Sequence, residues 1–147
     1  MNGRGFARIW TIAGKDGNMK CLDSDLIIAH LQGNQTATEA IKKLELKDIL
    51  VTTSINIFEI LFGVFNSKYP EDRENADKSL SSLDVLEFGR KEAEFAGKVY
   101  ADMMKKGKPI SLKDLFIGST ALSAHSEMVT RNVRDFQRIP GLKVIEW

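Results

Sequence analysis

The stretch that decides the fold is Ile110–Phe136, ISLKDLFIGSTALSAHSEMVTRNVRDF. Asp114 lies in the first turn of a helix that runs out near His125, and Met128–Val129 follows as a short apolar strand. A polar knuckle, Thr130-Arg131-Asn132, closes the strand, and Asp135 stands just beyond it. In a βαβ unit the strand runs antiparallel to its helix, so helix start and strand end meet at one edge of the sheet. Ligand sites in open α/β sheets form at that edge. What matters next is which other residues reach it.

Working outward, the 147 residues suit one domain, long enough to bury a core without a disulfide or metal staple. Hydrophobic content of 43% and charged content of 28% match an ordinary globular chain. A net charge of +1 argues against a protein that simply coats nucleic acid. The single cysteine, Cys21, sits in an apolar run and reads as a buried thiol, which fits a cytoplasmic location. No apolar run approaches the ~18 residues that span a bilayer, so no membrane is expected. The N-terminus lacks a proper apolar signal region and cleavage site.

Residues 1–18, rich in Gly and Asn, read as an arm outside the core, with Met19 as an alternative start. The domain proper spans 19–147. Lys20–Leu22 reads as the first strand, ending at Asp23-Ser24-Asp25; a buried helix then stops at Gly33. Thr36–Leu46 has a helical period, and Ile49–Val51 is the second strand. Thr52, Thr53 and Ser54 offer N-caps for a helix to about Asn66. That helix is apolar almost all round, which predicts burial, with Glu59 as the exception. Pro70 opens a polar helix to about Leu83, Val85–Leu86 is a third strand, and Arg90–Lys106 is a helix ended by Gly107. After Phe136 the chain turns at Pro140-Gly141 and forms a last strand, Leu142–Ile145. Alternating strands and helices predict an α/β fold: a central parallel sheet of four to five short strands, flanked by helices on both faces.

Asp23, Glu59 and Asp114 thus stand in comparable places, and Asn132 and Asp135 follow the fourth strand. Each has a plain structural reading. Asp23 or Asp25 can cap the first helix, and so can Ser24; Asp114 completes a Ser111-x-x-Asp114 capping box; Asp135 can be a solvated loop residue. Glu59 is harder to dismiss, because an unpaired carboxylate amid large apolar neighbours costs several kcal/mol. No Lys or Arg lies on its helix, so its counter-charge is either a basic side chain from elsewhere or a metal ion. Two unit charges ~4 Å apart repel by about 4 kcal/mol at an effective dielectric near 20. Converging acids therefore call for a cation, and hard oxygen ligands select Mg²⁺ or Mn²⁺. The histidines, His30 and His125, fall inside helices and read as packing residues. An all-acid site of this kind suits phosphodiester hydrolysis.

Four segments in order resemble the PIN-domain (PilT N-terminal) ribonucleases, and the VapC-like toxins in particular. They are CLDSDLI (residues 21–27), IFEILFGV (57–64), DLFIGS (114–119) and VTRNVRDF (129–136) with IPGL (139–142), covering nearly all of 19–147. The resemblance places the acids at Asp23, Glu59 and Asp114. Many members carry a fourth acid where this chain has Asn132, so here Asp135 would supply it, with Asn132 as a neutral ligand. The resemblance further implies a Mg²⁺- or Mn²⁺-dependent endoribonuclease acting on single-stranded RNA, commonly a homodimer, and a small antitoxin as partner. Ser24, Asp25 and Thr130 would steady the ligands, while Arg131, Arg134 and Arg138 would contact RNA phosphates, a solvated basic loop being their plain reading. Two other functions fit part of the pattern: a PIN-like module that only binds RNA or protein, and a phosphatase with Asp23 as nucleophile in a D-x-D motif.

Overall fold

The computed structural model describes residues 18–147, so the arm over residues 1–18 lies outside them except for Asn18. Its strands are β1 (Met19–Leu22), β2 (Ile49–Thr53), β3 (Asp84–Leu86), β4 (Glu127–Val129) and β5 (Val144–Ile145). The helices are α1 (Ser24–Leu31), α2 (Gln35–Glu45), α3 (Ser54–Phe65), α4 (Pro70–Ser81), α5 (Arg90–Lys105), α6 (Leu112–Ser123) and α7 (Val133–Phe136). The strands form one parallel sheet in the order β3-β2-β1-β4-β5. The expected α/β architecture is the observed one.

The period of two along each strand divides the core into two layers. Cys21, Val51 and Met128 face Val99, Ile117, Ala121 and Phe136, which belong to α5, α6 and α7. Leu22, Leu50 and Val129 face Leu26, Ala37, Ile60 and Ala76 from α1–α4. β1 is covered on both faces with all four residues buried, apolar except for Lys20. Burial pushes the Cys21 thiol well up, as does the charge of Asp23, so the cysteine is inert. Gly33 and Gly107 end α1 and α5 with φ of 80° and 68°, where a side chain would strain the backbone.

Four local expectations are corrected. Helix α3 is not buried: Phe58, Phe62 and Phe65 are exposed, and only Asn56 and Ile60 on it are buried. Hydrophobicity alone does not say whether a face meets the core or solvent. His125 lies outside α6, in a left-handed turn at φ 55° whose N–H donates to Leu122 O. The knuckle after β4 continues into α7, four residues and too short to show a period. That turn uses up chain, so the last strand begins at Val144 rather than Leu142. A Cβ on Gly118 would overlap the Ile139 side chain, which shows how tightly the segment after α7 is drawn against α6.

Candidate functional site

Asp23 follows β1 directly, and its N–H extends the ladder to Val129 O at 3.0 Å. It caps α1, so the plain reading of this residue is correct as far as it goes. The cap uses only part of the carboxylate. Oδ1 accepts from Ser24 N–H at 2.8 Å and from Asn56 Nδ2 at 3.0 Å, while Oδ2 accepts from the Thr130 hydroxyl at 2.7 Å. These donors arrive from α1, α3 and the end of β4 because the parallel sheet delivers all three strand ends to one edge. Burial pushes the Asp23 carboxyl up to about 7, and the charges of Asp25 and Glu59 add to that against the Thr130 and Ser24 hydrogen bonds.

Glu59 lies one helical turn beyond Asn56 on α3, and the two share a face. Its Oε1 accepts from the Ser24 hydroxyl at 2.9 Å. Its Oε2 meets Lys113 Nζ at 2.7 Å, so the counter-charge that α3 lacks comes from the first turn of α6. Asn56 is fully buried and ties the edge together: Nδ2 donates to Asp23 and to Ser24 Oγ, and Oδ1 accepts from the Thr53 hydroxyl at 2.7 Å. Sequence reasoning missed both Asn56 and Lys113.

Asp114 is the third residue of α6, and its N–H donates to Ser111 Oγ at 3.1 Å. Its carboxylate turns to Asn132, whose Nδ2 donates to Asp114 Oδ2 at 3.0 Å and to Asp135 Oδ2 at 3.3 Å. Asn132 and Asp135 therefore both reach Asp114, with the amide as the bridge. Burial raises the Asp114 carboxyl, and so do the charges of Asp135 and Glu59. Glu59 thus acts on both halves of the site.

Asp25 joins a separate group at the rim. Its Oδ2 accepts from Arg131 N–H at 2.8 Å and from the Thr130 hydroxyl at 3.3 Å, and its Oδ1 from Trp147 Nε1 at 3.2 Å. The Arg131 guanidinium stacks 3.7 Å above the Trp147 ring, and Arg138 donates to Lys108 O. Arg134 is exposed on α7. His30 sits on α1 against the Thr38 hydroxyl, away from the acids, as its packing role requires.

The donors suit a hard divalent cation: carboxylates from four elements, mutually repelling, with carboxyls held up where a cation would draw them down. Among the described residues no three acidic, histidine or cysteine side chains are gathered tightly enough to enclose an ion. The acids stand instead as two linked halves, Asp23–Ser24–Glu59 and Asp114–Asn132–Asp135, with Lys113 on the first. The set fits such an ion by the chemistry of its oxygen donors, not by an enclosing geometry. No described helix is long and apolar enough to cross a membrane.

The family model of the PIN domain matches residues 20–142. The tRNA(fMet)-specific endonuclease VapC of Salmonella typhimurium is 32% identical over 96 residues, 65% of this chain and 73% of the relative. Ribonuclease VapC1 of Haemophilus influenzae is 31% identical over 128 residues, 86% of this chain and 96% of the relative. Among solved structures, VapBC2 from Rickettsia felis bound to a promoter DNA fragment superposes with a TM-score of 0.80 at 26% identity, covering 88% of this chain and 98% of that one. The chain belongs to the PIN-domain family, in its VapC-like branch.

Proposed function

We propose that the chain is a divalent-metal-dependent endoribonuclease that hydrolyses phosphodiester bonds in single-stranded RNA, as the toxin of a toxin–antitoxin pair. The observation that carries this reading is that two hydrogen-bonded acid pairs, Asp23 with Glu59 through Ser24 and Asp114 with Asp135 through Asn132, lie at the same end of the sheet, with Lys113 on Glu59. The ribonuclease names of the relatives support RNA as the substrate, and the VapBC complex among the structural neighbours supports a small antitoxin as partner. The exposed aromatic face of α3 supports a surface that a protein covers, whether antitoxin or the second subunit of a homodimer. A single, buried cysteine is in keeping with the cytoplasm.

In this reading Asp23, Glu59, Asp114 and Asp135 hold Mg²⁺ or Mn²⁺. The metal supplies an activated water and positive charge for the phosphate. The chain's own groups do the rest. Ser24, Asn56 and Thr130 fix the carboxylate orientations, which a ligand set needs to hold one geometry. Asn132 keeps Asp114 and Asp135 together without adding charge. Arg134, exposed next to Asp135, would take an RNA phosphate. Arg131 stacks on Trp147 and Arg138 donates to Lys108 O, and each guanidinium keeps further N–H donors that would contact a phosphate.

The test is cleavage of a single-stranded RNA by wild type and Asp114→Asn, with Mn²⁺ and with EDTA. Cleavage is expected only from wild type with metal; EDTA-resistant cleavage, or equal cleavage by Asp114→Asn, contradicts the reading. A module that only binds is the second reading, favoured by Asn132 standing as a donor where an acid would complete the set. It predicts EDTA-resistant RNA binding and no cleavage once metal is restored.

A further inference from the structure

Lys113 is the second residue of α6, at the helix end where the dipole disfavours a cation. Helix energetics do not account for a lysine there. What accounts for it is Glu59, whose Oε2 lies 2.7 Å from Nζ. The pair is lopsided: the Lys113 side chain is 49% exposed and the Glu59 side chain 19%. The lysine reaches in from solvent on a four-carbon stem, while the carboxylate is seated by the Ser24 hydroxyl on its other oxygen.

We propose that Lys113 is an intramolecular counter-cation that competes with the divalent metal for Glu59, offsetting the charge of that one carboxylate while the site is empty and swinging out as the ion enters. This rests on the metal site proposed above. Glu59 has one oxygen taken by Ser24 and the other by the ammonium, so a metal binding this carboxylate displaces one of them or sits beside a positive charge. The ammonium is the one free to leave: it is half exposed, on a flexible stem, and strongly hydrated once in water. Its departure costs only what a half-exposed ion pair contributes, so the competition tunes metal affinity and does not abolish it. The lysine is thus a positioning residue that acts through Glu59.

The test is a Mn²⁺ titration by calorimetry of wild type, Lys113→Met, Lys113→Arg and the Glu59→Gln and Lys113→Met/Glu59→Gln pair. Lys113→Met is expected to bind Mn²⁺ roughly threefold to tenfold more tightly than wild type. Lys113→Arg, which keeps the charge, is expected to stay within about twofold of wild type. On the Glu59→Gln background the gain from Lys113→Met disappears, because the partner through which the lysine acts is gone. A lysine that served only fold stability would move the melting temperature and leave Mn²⁺ affinity unchanged. Equal or weaker Mn²⁺ binding by Lys113→Met, in a protein whose wild type binds the ion, overturns the inference alone. A gain that survives on Glu59→Gln also overturns it. No Mn²⁺ binding by any of the proteins overturns the metal site itself and the inference with it. Binding by Lys113→Met with none by wild type overturns a lysine that only tunes affinity.

Discussion

The two ends of the sheet handle charge in opposite ways. At the N-terminal end Lys20 on β1 is buried between Asp48 and Glu127, with Nζ 3.4 Å and 3.1 Å from their carboxylates. At the C-terminal end four acids share one half-exposed lysine, and neutral donors such as Ser24, Asn56, Thr130 and Asn132 do most of the holding. The first arrangement closes its charges off from water and joins β1 to its neighbours β2 and β4. The second leaves negative charge unbalanced among buried and half-buried carboxylates, which costs stability and is what the proposed cation would offset. The N-terminal group holds two acids against one buried lysine, whereas the C-terminal group leaves three of its four acids without a cation of the chain among the described residues.

Breaking the N-terminal end is expected to have the largest effect. Lys20→Met leaves Asp48 and Glu127 partly buried with no cation, a loss of about 3 kcal/mol in urea unfolding. RNA cleavage per folded molecule stays at the wild-type level, because that end is far from the acids. At the C-terminal end the pattern inverts. Asp114→Asn relieves repulsion and leaves stability nearly unchanged, while cleavage measured under single-turnover conditions falls by more than about 100-fold.

The pH response sharpens the comparison. The Asp23 carboxyl is held up to about 7 in the fold, above its ordinary value near 3.8. Between about pH 4 and 7 the unfolded chain gives up this proton while the folded chain keeps it. The unfolded state gains by that ionisation, so the Asp23 contribution to stability falls as pH rises through the window. In EDTA, the wild type is therefore expected to lose on the order of 2 kcal/mol relative to Asp23→Asn between pH 5 and pH 8. Unfolding curves of the two proteins at both pH values check this. The Asp23→Asn side chain is accommodated because the Thr130 hydroxyl can turn to Asp25 and accept from the new amide.

The smallest effect belongs to the scaffold of the site. Asn56→Ala removes the donor to Asp23 and Ser24, and is expected to cost about 1.5 kcal/mol in stability and roughly tenfold in Mn²⁺ affinity.

Much of this was legible in the residues. The strand runs and the placement of Asp23, Glu59 and Asp114 after strands or at helix starts followed from period and caps, since those signals are local. Glu59 was the strongest clue, because a carboxylate in an apolar helix has to find a cation. Asn56 escaped because a buried polar residue in an apolar helix looks like any surface residue. Its signal was the spacing, one turn before Glu59 and three residues after Thr53, where it closes a capping box. Lys113 escaped for the opposite reason: a lysine beside an aspartate reads as surface charge, and only its place against the helix dipole marked it. The exposure of Phe58, Phe62 and Phe65 was not legible, because a face made for a partner and a face made for the core have the same composition. Asn132 and Asp135 are not alternatives in the hydrogen bonding around Asp114, since one amide donates to both acids, a contact no local sequence signal carries.

The central claim is that the acids at the C-terminal edge hold a divalent ion. The most direct measurement is the melting temperature of wild type and Asp114→Asn as Mn²⁺ is added. Binding to the folded state alone raises stability by RT ln(1 + [L]/Kd), about 2.7 kcal/mol at a hundredfold excess over Kd. The wild type is predicted to rise by several degrees with a saturating dose dependence, and Asp114→Asn to stay flat over the same range. A wild type that melts at the same temperature with and without Mn²⁺, or an equal rise in both proteins, contradicts the account.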